Sequence, residues 1–230
     1  MKNETYIVAT TKPWNIKIYE EIKHCQGEWW IITDPKELTV ENIKAINPKY
    51  IFFPHWSEIV LDEILDITTC VCFHMTDLPY GRGGSPLQNL IYYKHKETVI
   101  AAFKMTGQLD AGPVYLKRPL SLEGLAEEIF IRASYIITGM IETIITDNPI
   151  PRIQTGKSMY FSRRKPNQSE IINNDSLQSL FNHIRMLDAE GYPKAFLERD
   201  SFRYEITRPA LKTNEILADV RITRIKGDSE

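Results

Sequence analysis

Residues 50–86 read YIFFPHWSEIVLDEILDITTCVCFHMTDLPYGRGGSP. Two short apolar, β-rich runs, residues 50–53 and 68–73, flank a helical pattern over residues 59–65. Strand, helix and strand in that order predict a βαβ unit in a mostly parallel sheet. The second strand ends at His74 and opens into a turn-rich stretch, Asp77-Leu78-Pro79-Tyr80-Gly81-Arg82-Gly83-Gly84-Ser85-Pro86. In an open α/β sheet ligands gather beyond the carboxyl ends of the strands, which is where this order puts His74.

The rhythm extends in both directions. Before residue 50 come a strand at 5–10, an amphipathic helix at 14–24, a strand at 29–33 and a helix at 40–46. After the loop come a helix at 87–93, a strand at 98–105 and a strand at 113–116, entered through Gly107-Gln108-Leu109-Asp110-Ala111-Gly112. Two loops at strand ends, each with a titratable residue, can converge on one pocket. Residues 122–145 are the most membrane-like segment, but Glu123, Glu127, Glu128, Arg132 and Glu142 interrupt it, and its apolar residues recur at helical spacing. It reads as a core helix, not an anchor. Asp147-Asn148-Pro149-Ile150-Pro151 stops it, and Asn173-Asn174-Asp175-Ser176 is a further polar break. A helix at 177–187 and strands at 202–207 and 215–225 follow. The expected fold is α/β, a Rossmann-like core over residues 1–175 with a small C-terminal α+β subdomain over 176–230.

With 43% apolar and 25% charged residues in 230, the chain has the composition of an ordinary globular protein. Its net charge of -2 provides no global field for long nucleic acids, so an anionic ligand must meet a local cluster. Three cysteines, Cys25, Cys70 and Cys72, are too few and too odd in number for a disulfide framework. Met1-Lys2-Asn3-Glu4 leads into a strand without a secretory pattern, so the expected location is the cytoplasm.

The residues from Cys72 to Gln88 resemble the signature of the folate-dependent formyltransferases, Asn-x-His-x-Ser-x-Leu-Pro, two residues, then Arg-Gly-x-x-Pro. His74, Leu78, Pro79, Arg82, Gly83 and Pro86 fall on their places, and Thr76 stands in for Ser. Asp110-Ala111-Gly112 matches the family's second element at its usual distance. Residues 160–166 and 185–196 look like segments of the branch that acts on nucleotide-linked amino sugars.

The resemblance implies 10-formyltetrahydrofolate as formyl donor, with no metal, and His74 and Asp110 as the catalytic pair. Trp56, Thr76, Asp77, Leu78, Pro79, Tyr80, Arg82, Gly83 and Gln108 would line the folate site. An amine attacking a formyl carbon generates a negative oxygen and a positive nitrogen. An imidazole can donate to the first or take the proton of the second, while a carboxylate orients it. One departure stands at Cys72, where the family has Asn. A thiol is a much weaker donor than an amide, which makes the catalytic role of Cys72 doubtful and turns attention to Gln108 and Asn89 as substitutes.

The expected acceptor is an amino-dideoxy sugar linked to UDP or dTDP, its diphosphate held by Lys12, Arg163 and Arg164. That makes the partner a small sugar nucleotide, with no nucleic acid, no membrane, and either a monomer or a homodimer. Methionyl-tRNA or an aminoacyl carrier is the alternative acceptor, disfavoured by the short, nearly neutral tail. A non-catalytic sugar-nucleotide or folate-binding protein is the second alternative, motivated by Cys72. Bland readings stand beside these. Cys70, Cys72 and His74 alternate on one strand without a fourth zinc ligand, the glycines lack a Walker motif, and Arg163-Arg164-Lys165 can be a solvated charge run.

Overall fold

A computed structural model describes residues 4–172 and 174–225. The expectations placed on Met1–Asn3 and on Asn173 lie outside the described residues. The chain forms two compact units, one of residues 1–86, 98–120 and 130–161, the other of residues 87–97, 121–129 and 162–230.

The first unit is built on a six-stranded sheet. In chain order its elements are β1 (Thr5–Ala9), α1 (Pro13–Ile22), β2 (Glu28–Ile32), α2 (Val40–Ile46), β3 (Tyr50–Pro54), α3 (Asp62–Ile67), β4 (Thr69–His74) and β5 (Arg82–Gly83). After α4 (Pro86–Tyr92) follow β6 (Glu97–Lys104), β7 (Val114–Ser121), α5 (Ala126–Asp147) and β8 (Tyr160–Phe161). The sheet order is β2-β1-β3-β4-β6-β7. The first four strands are parallel, and β6 runs antiparallel to β4 with Cys72 opposite Phe103 and His74 opposite Ala101.

Strand β3 is buried at every residue, as a central parallel strand covered on both faces must be. On one face Ile7, Ala9, Ile51, Phe53 and Cys70 pack with Ile43 and Ile64 of α2 and α3. On the other, Phe52 stacks among Tyr6, Trp29, Tyr50 and Phe73. Helix α5 buries Phe130, Ala133, Ile137, Met140, Ile141 and Ile144, and Phe130 stacks on Trp14 at 5.1 Å. These buried positions make it a core helix, as expected, despite a length and hydropathy that would suffice to cross a membrane.

The order of strands across the sheet reverses between β1 and β3, and one buried amide ties the ends of these two parallel strands. Asn15 donates to Thr10 Oγ1 at 3.1 Å and to the Pro54 carbonyl at 3.0 Å, while accepting from Ser134.

The second unit carries α6 (Leu177–Arg185) and an antiparallel sheet of β9 (Ala195–Arg199), β10 (Phe202–Leu211) and β11 (Ile216–Arg224). Ser176 caps α6 through the Ser179 N–H. Buried Arg185 satisfies the carbonyls of Leu122 and Gly124 at 2.6 and 2.9 Å. The fold class therefore stands as expected: a mixed α/β core with a C-terminal antiparallel sheet. Three elements were illegible in the sequence: β9, which is short and half charged, and the two-residue strands β5 and β8.

Candidate active site

Beyond β4 the chain turns through two glycines that place backbone groups around His74. At Gly81 φ is +70°, and a Cβ would lie 2.8 Å from both the Thr76 methyl and the Phe161 ring. The freedom of glycine there lets the Gly81 carbonyl accept from His74 Nε2 at 2.8 Å and from Thr76 Oγ1 at 3.3 Å. At Gly83 φ is +101°, and a Cβ would stand 2.4 Å from the Phe161 carbonyl oxygen. That close approach is the parallel pairing of β5 with β8, which stitches the loop to residues 160–161.

The second loop supplies Asp110. Gly112 passes so near the Lys104 carbonyl that no Cβ fits. Asp110, at φ +50°, turns its carboxylate inward, where Oδ2 accepts the Gly83 N–H at 2.8 Å and lies 3.8 Å from His74 Nδ1. The two motifs thus meet, with His74 and Asp110 both largely buried.

A carbonyl can only accept, so His74 Nε2 carries a proton, and in the neutral ring the lone pair sits on Nδ1, facing Asp110. The Gly81 carbonyl sets the tautomer, and the Asp110 carboxylate lies at ion-pair distance from the other ring nitrogen. Burial, and secondarily the Asp110 carboxylate, pushes the Cys72 thiol well above its ordinary range. Cys72 is therefore a neutral thiol packed beside Leu78, Ala101 and Phe103.

Gln154 has no sequence signal and proves central. Its oxygen accepts from Arg82 Nε and Nη2 at 3.2 and 2.7 Å, and its amide donates to the carbonyls of Asp110 and Gly112 at 2.9 and 2.8 Å. One side chain thereby joins the Arg82 of the first motif to the Asp110 turn of the second. Lys117 braces the same loop by pairing with Asp77 and donating to the Leu78 carbonyl at 2.7 Å. An open groove of about 910 Å³ borders these residues, lined by Leu78, Tyr115, Lys117, Ile150, Arg152 and Gln154.

The other expected residues fall as follows. Trp56 packs edge-on against Phe53 at 5.6 Å, and its buried indole N–H has no acceptor among the described residues. Tyr80 packs edge-on against Phe161 at 5.5 Å, and Pro79 follows a cis peptide bond. Gln108 is exposed, and its carbonyl closes the turn to Ala111. Asn89 lies in the second unit and donates to the Ser162 carbonyl at 3.1 Å. Lys12 precedes α1 and acts electrostatically on His55, whose pKa burial lowers to about 3 with Lys12 as the smaller cause. Arg163 is exposed, whereas Arg164 is half-buried over the Tyr92 ring at 5.2 Å. No cluster of three metal-ligating side chains occurs among the described residues.

His74 and Asp110 face each other beyond the strand ends, where an open α/β sheet collects its ligands, and known proteins share this fold. The chain belongs to the formyltransferase family. Methionyl-tRNA formyltransferase from Clostridium thermocellum is 50% identical, with a TM-score of 0.94, over 96% of this chain and 99% of that one. A family model described as the methionyl-tRNA formyltransferase C-terminal domain matches residues 166–223. The curated methionyl-tRNA formyltransferase of Thermodesulfovibrio yellowstonii is 27% identical over 154 residues, 64% of this chain, and the chain spans about half, 50%, of its length. A sugar N-formyltransferase from Shewanella, 12% identical with a TM-score of 0.70, shares the fold alone.

These similarities overturn the expected sugar-nucleotide acceptor and the expected absence of a nucleic-acid partner. The tail that looked too short and too neutral for a tRNA enzyme is the part that matches the C-terminal domain model. Net charge averages over the whole chain and does not locate the cations an RNA would meet.

Proposed function

We propose that this protein transfers the formyl group of 10-formyltetrahydrofolate to the amine of methionyl-tRNA. The observation that carries the reading is a buried His74–Asp110 pair in a chain 50% identical to a methionyl-tRNA formyltransferase. The folate supplies an activated formyl carbon. Trp56, Thr76, Asp77, Leu78, Pro79, Tyr80, Arg82, Gly83 and Gln108 are proposed to hold it, and the orphaned indole N–H of Trp56 suits a polar heterocycle. His74 Nδ1, its lone pair free in the tautomer fixed by Gly81, takes the proton of the attacking amine and would return it to the donor nitrogen as the bond from that nitrogen to the formyl carbon breaks and tetrahydrofolate leaves. Asp110, held by the Gly83 N–H, stabilises the resulting imidazolium across 3.8 Å.

For the acceptor, the groove beside Gln154 offers a Tyr115 ring and the cations Lys117 and Arg152, a combination suited to a terminal nucleotide. Lys12, Arg163 and Arg164 are assigned to phosphates of the RNA in place of a diphosphate. The test is formylation of methionyl-tRNA with 10-formyltetrahydrofolate, read by acid gel electrophoresis of the aminoacyl-tRNA. Formyl-methionyl-tRNA appearing with wild type and not with His74→Ala supports the reading. No product from well-folded enzyme with both substrates at saturation refutes it.

A further inference from the structure

Helix α4 runs out into Tyr92-Tyr93-Lys94-His95-Lys96, and the way it ends fixes how these side chains are presented. The His95 N–H bonds the Leu90 carbonyl at 3.0 Å and the Lys94 N–H bonds the Ile91 carbonyl at 2.9 Å, with Lys94 at a φ of +64°. This crossed pair of bonds closes a helix through a left-handed residue, a position where glycine is usual and this chain carries a lysine. Tyr92 and Tyr93 remain 58% and 53% accessible on the closed turn, their rings edge to face with centroids 5.5 Å apart. A second basic run is held beside the first. Asn89 donates to the Ser162 carbonyl at 3.1 Å, the Lys165 N–H donates to Gln168 Oε1 at 2.7 Å, and His183 Nε2 donates to the Ser169 carbonyl at 3.1 Å, so the run is pinned at both ends. The Arg164 guanidinium lies 5.2 Å from the centre of the Tyr92 ring and backs it. Residues 92–97 and 162–170 together carry five cations, Lys94, Lys96, Arg163, Arg164 and Lys165, against two carboxylates, Glu97 and Glu170. None of the ion pairs among the described residues involves Lys94, Lys96 or Lys165.

We propose that Tyr92 and Tyr93 form a stacking platform for unpaired nucleotides of an RNA, whose phosphates are met by the flanking cations; this rests on the reading of the acceptor as a tRNA. A tyrosine ring offers any unpaired base a π-face, and the Arg164 guanidinium behind Tyr92 both holds that ring and adds charge. Lys94 and Lys96 follow the rings directly in the chain, so a strand laid across the platform keeps its backbone within their reach. Bases in a duplex are already stacked on one another and leave the platform only backbone to touch, so the surface selects single strands. An acidic peptide would satisfy the cations and leave both rings without a partner.

Fluorescence anisotropy tests this, with the full chain titrated into a short labelled single-stranded RNA, the same sequence as a duplex, and a polyglutamate peptide. Wild type is expected to bind the single strand more tightly than the other two. Tyr92→Leu and Tyr93→Leu each weaken it roughly 5- to 100-fold, the loss of one stacked base, whereas Tyr92→Phe and Tyr93→Phe keep the ring and bind as wild type does. Lys94→Gly suits the left-handed turn and so folds, and it lowers the slope of log Kd against log salt by roughly 0.7. In formylation assays the double variant Tyr92→Leu, Tyr93→Leu raises KM for methionyl-tRNA about tenfold or more and leaves the folate KM unchanged. Equal affinity for the three probes, Leu variants that bind like wild type, Phe variants that lose binding, or a double variant with the wild-type KM for methionyl-tRNA overturns the platform and leaves formyl transfer standing. A wild type that formylates no methionyl-tRNA, yet binds single-stranded RNA in a manner the Leu variants lose and the Phe variants keep, supports the platform and refutes the acceptor reading alone.

Discussion

Gln154→Glu isolates what the bridging amide does. The wild-type side chain accepts two bonds from Arg82 and donates two, at 2.9 and 2.8 Å, to the carbonyls of Asp110 and Gly112. Glutamate retains the Arg82 contact, now as an ion pair, but presents a carboxylate oxygen to both carbonyls and loses two bonds worth about 1 kcal/mol each. The gain at Arg82 offsets much of that, so global stability changes by about 1 kcal/mol or less. The Asp110 turn loses its anchor and moves, and a displacement of order 1 Å in a catalytic group costs roughly 100-fold in rate. The expected result is a kcat for formyl transfer to methionyl-tRNA lowered roughly 10- to 100-fold, with the folate KM within about threefold of wild type. Gln154→Ala severs all four bonds. With water replacing part of them at a half-buried site, it costs about 2–3 kcal/mol by urea unfolding in addition to the rate loss. A Gln154→Glu enzyme with kcat within about twofold of wild type would refute the positioning role.

Asp110→Asn retains an oxygen for the Gly83 N–H and should fold normally, while kcat falls roughly 10²- to 10⁴-fold in single-turnover assays; retention of about a tenth of the rate would exclude Asp110 from the chemistry. Gly83→Ala forces a Cβ against the Phe161 carbonyl at a φ of +101°, and should cost about 2–4 kcal/mol in urea unfolding, with an unchanged midpoint showing that the β5–β8 contact is dispensable. His55 has a folded pKa near 3 against an unfolded value near 6.5, so the unfolded chain binds the extra proton and stability falls as pH drops from about 6.5 toward 3. Its share of the slope is at most about 1.4 kcal/mol per pH unit. His55→Asn, which tolerates the φ of +55°, should flatten the curve across that window, and parallel curves for the two proteins would rule out His55 as the source.

The sequence by itself determined the α/β class and the parallel strands and singled out His74 and Asp110 as candidates, because each rests on local information. Alternating apolar strands and helices leave a periodicity over five to twenty residues, and the His74 and Asp110 motifs carry turn residues whose glycines are needed at their own positions. The acceptor was misread for the same reason. The motif residues belong to the family as a whole and so do not name an acceptor, and an averaged net charge suggested that no nucleic acid takes part. Only the tertiary structure decided which backbone carbonyl sets the His74 tautomer and that Gln154 joins the two motifs. Each of these depends on residues distant in sequence meeting at hydrogen-bond range, as Gln154 does with Arg82, 72 positions away, and no local pattern encodes such a meeting.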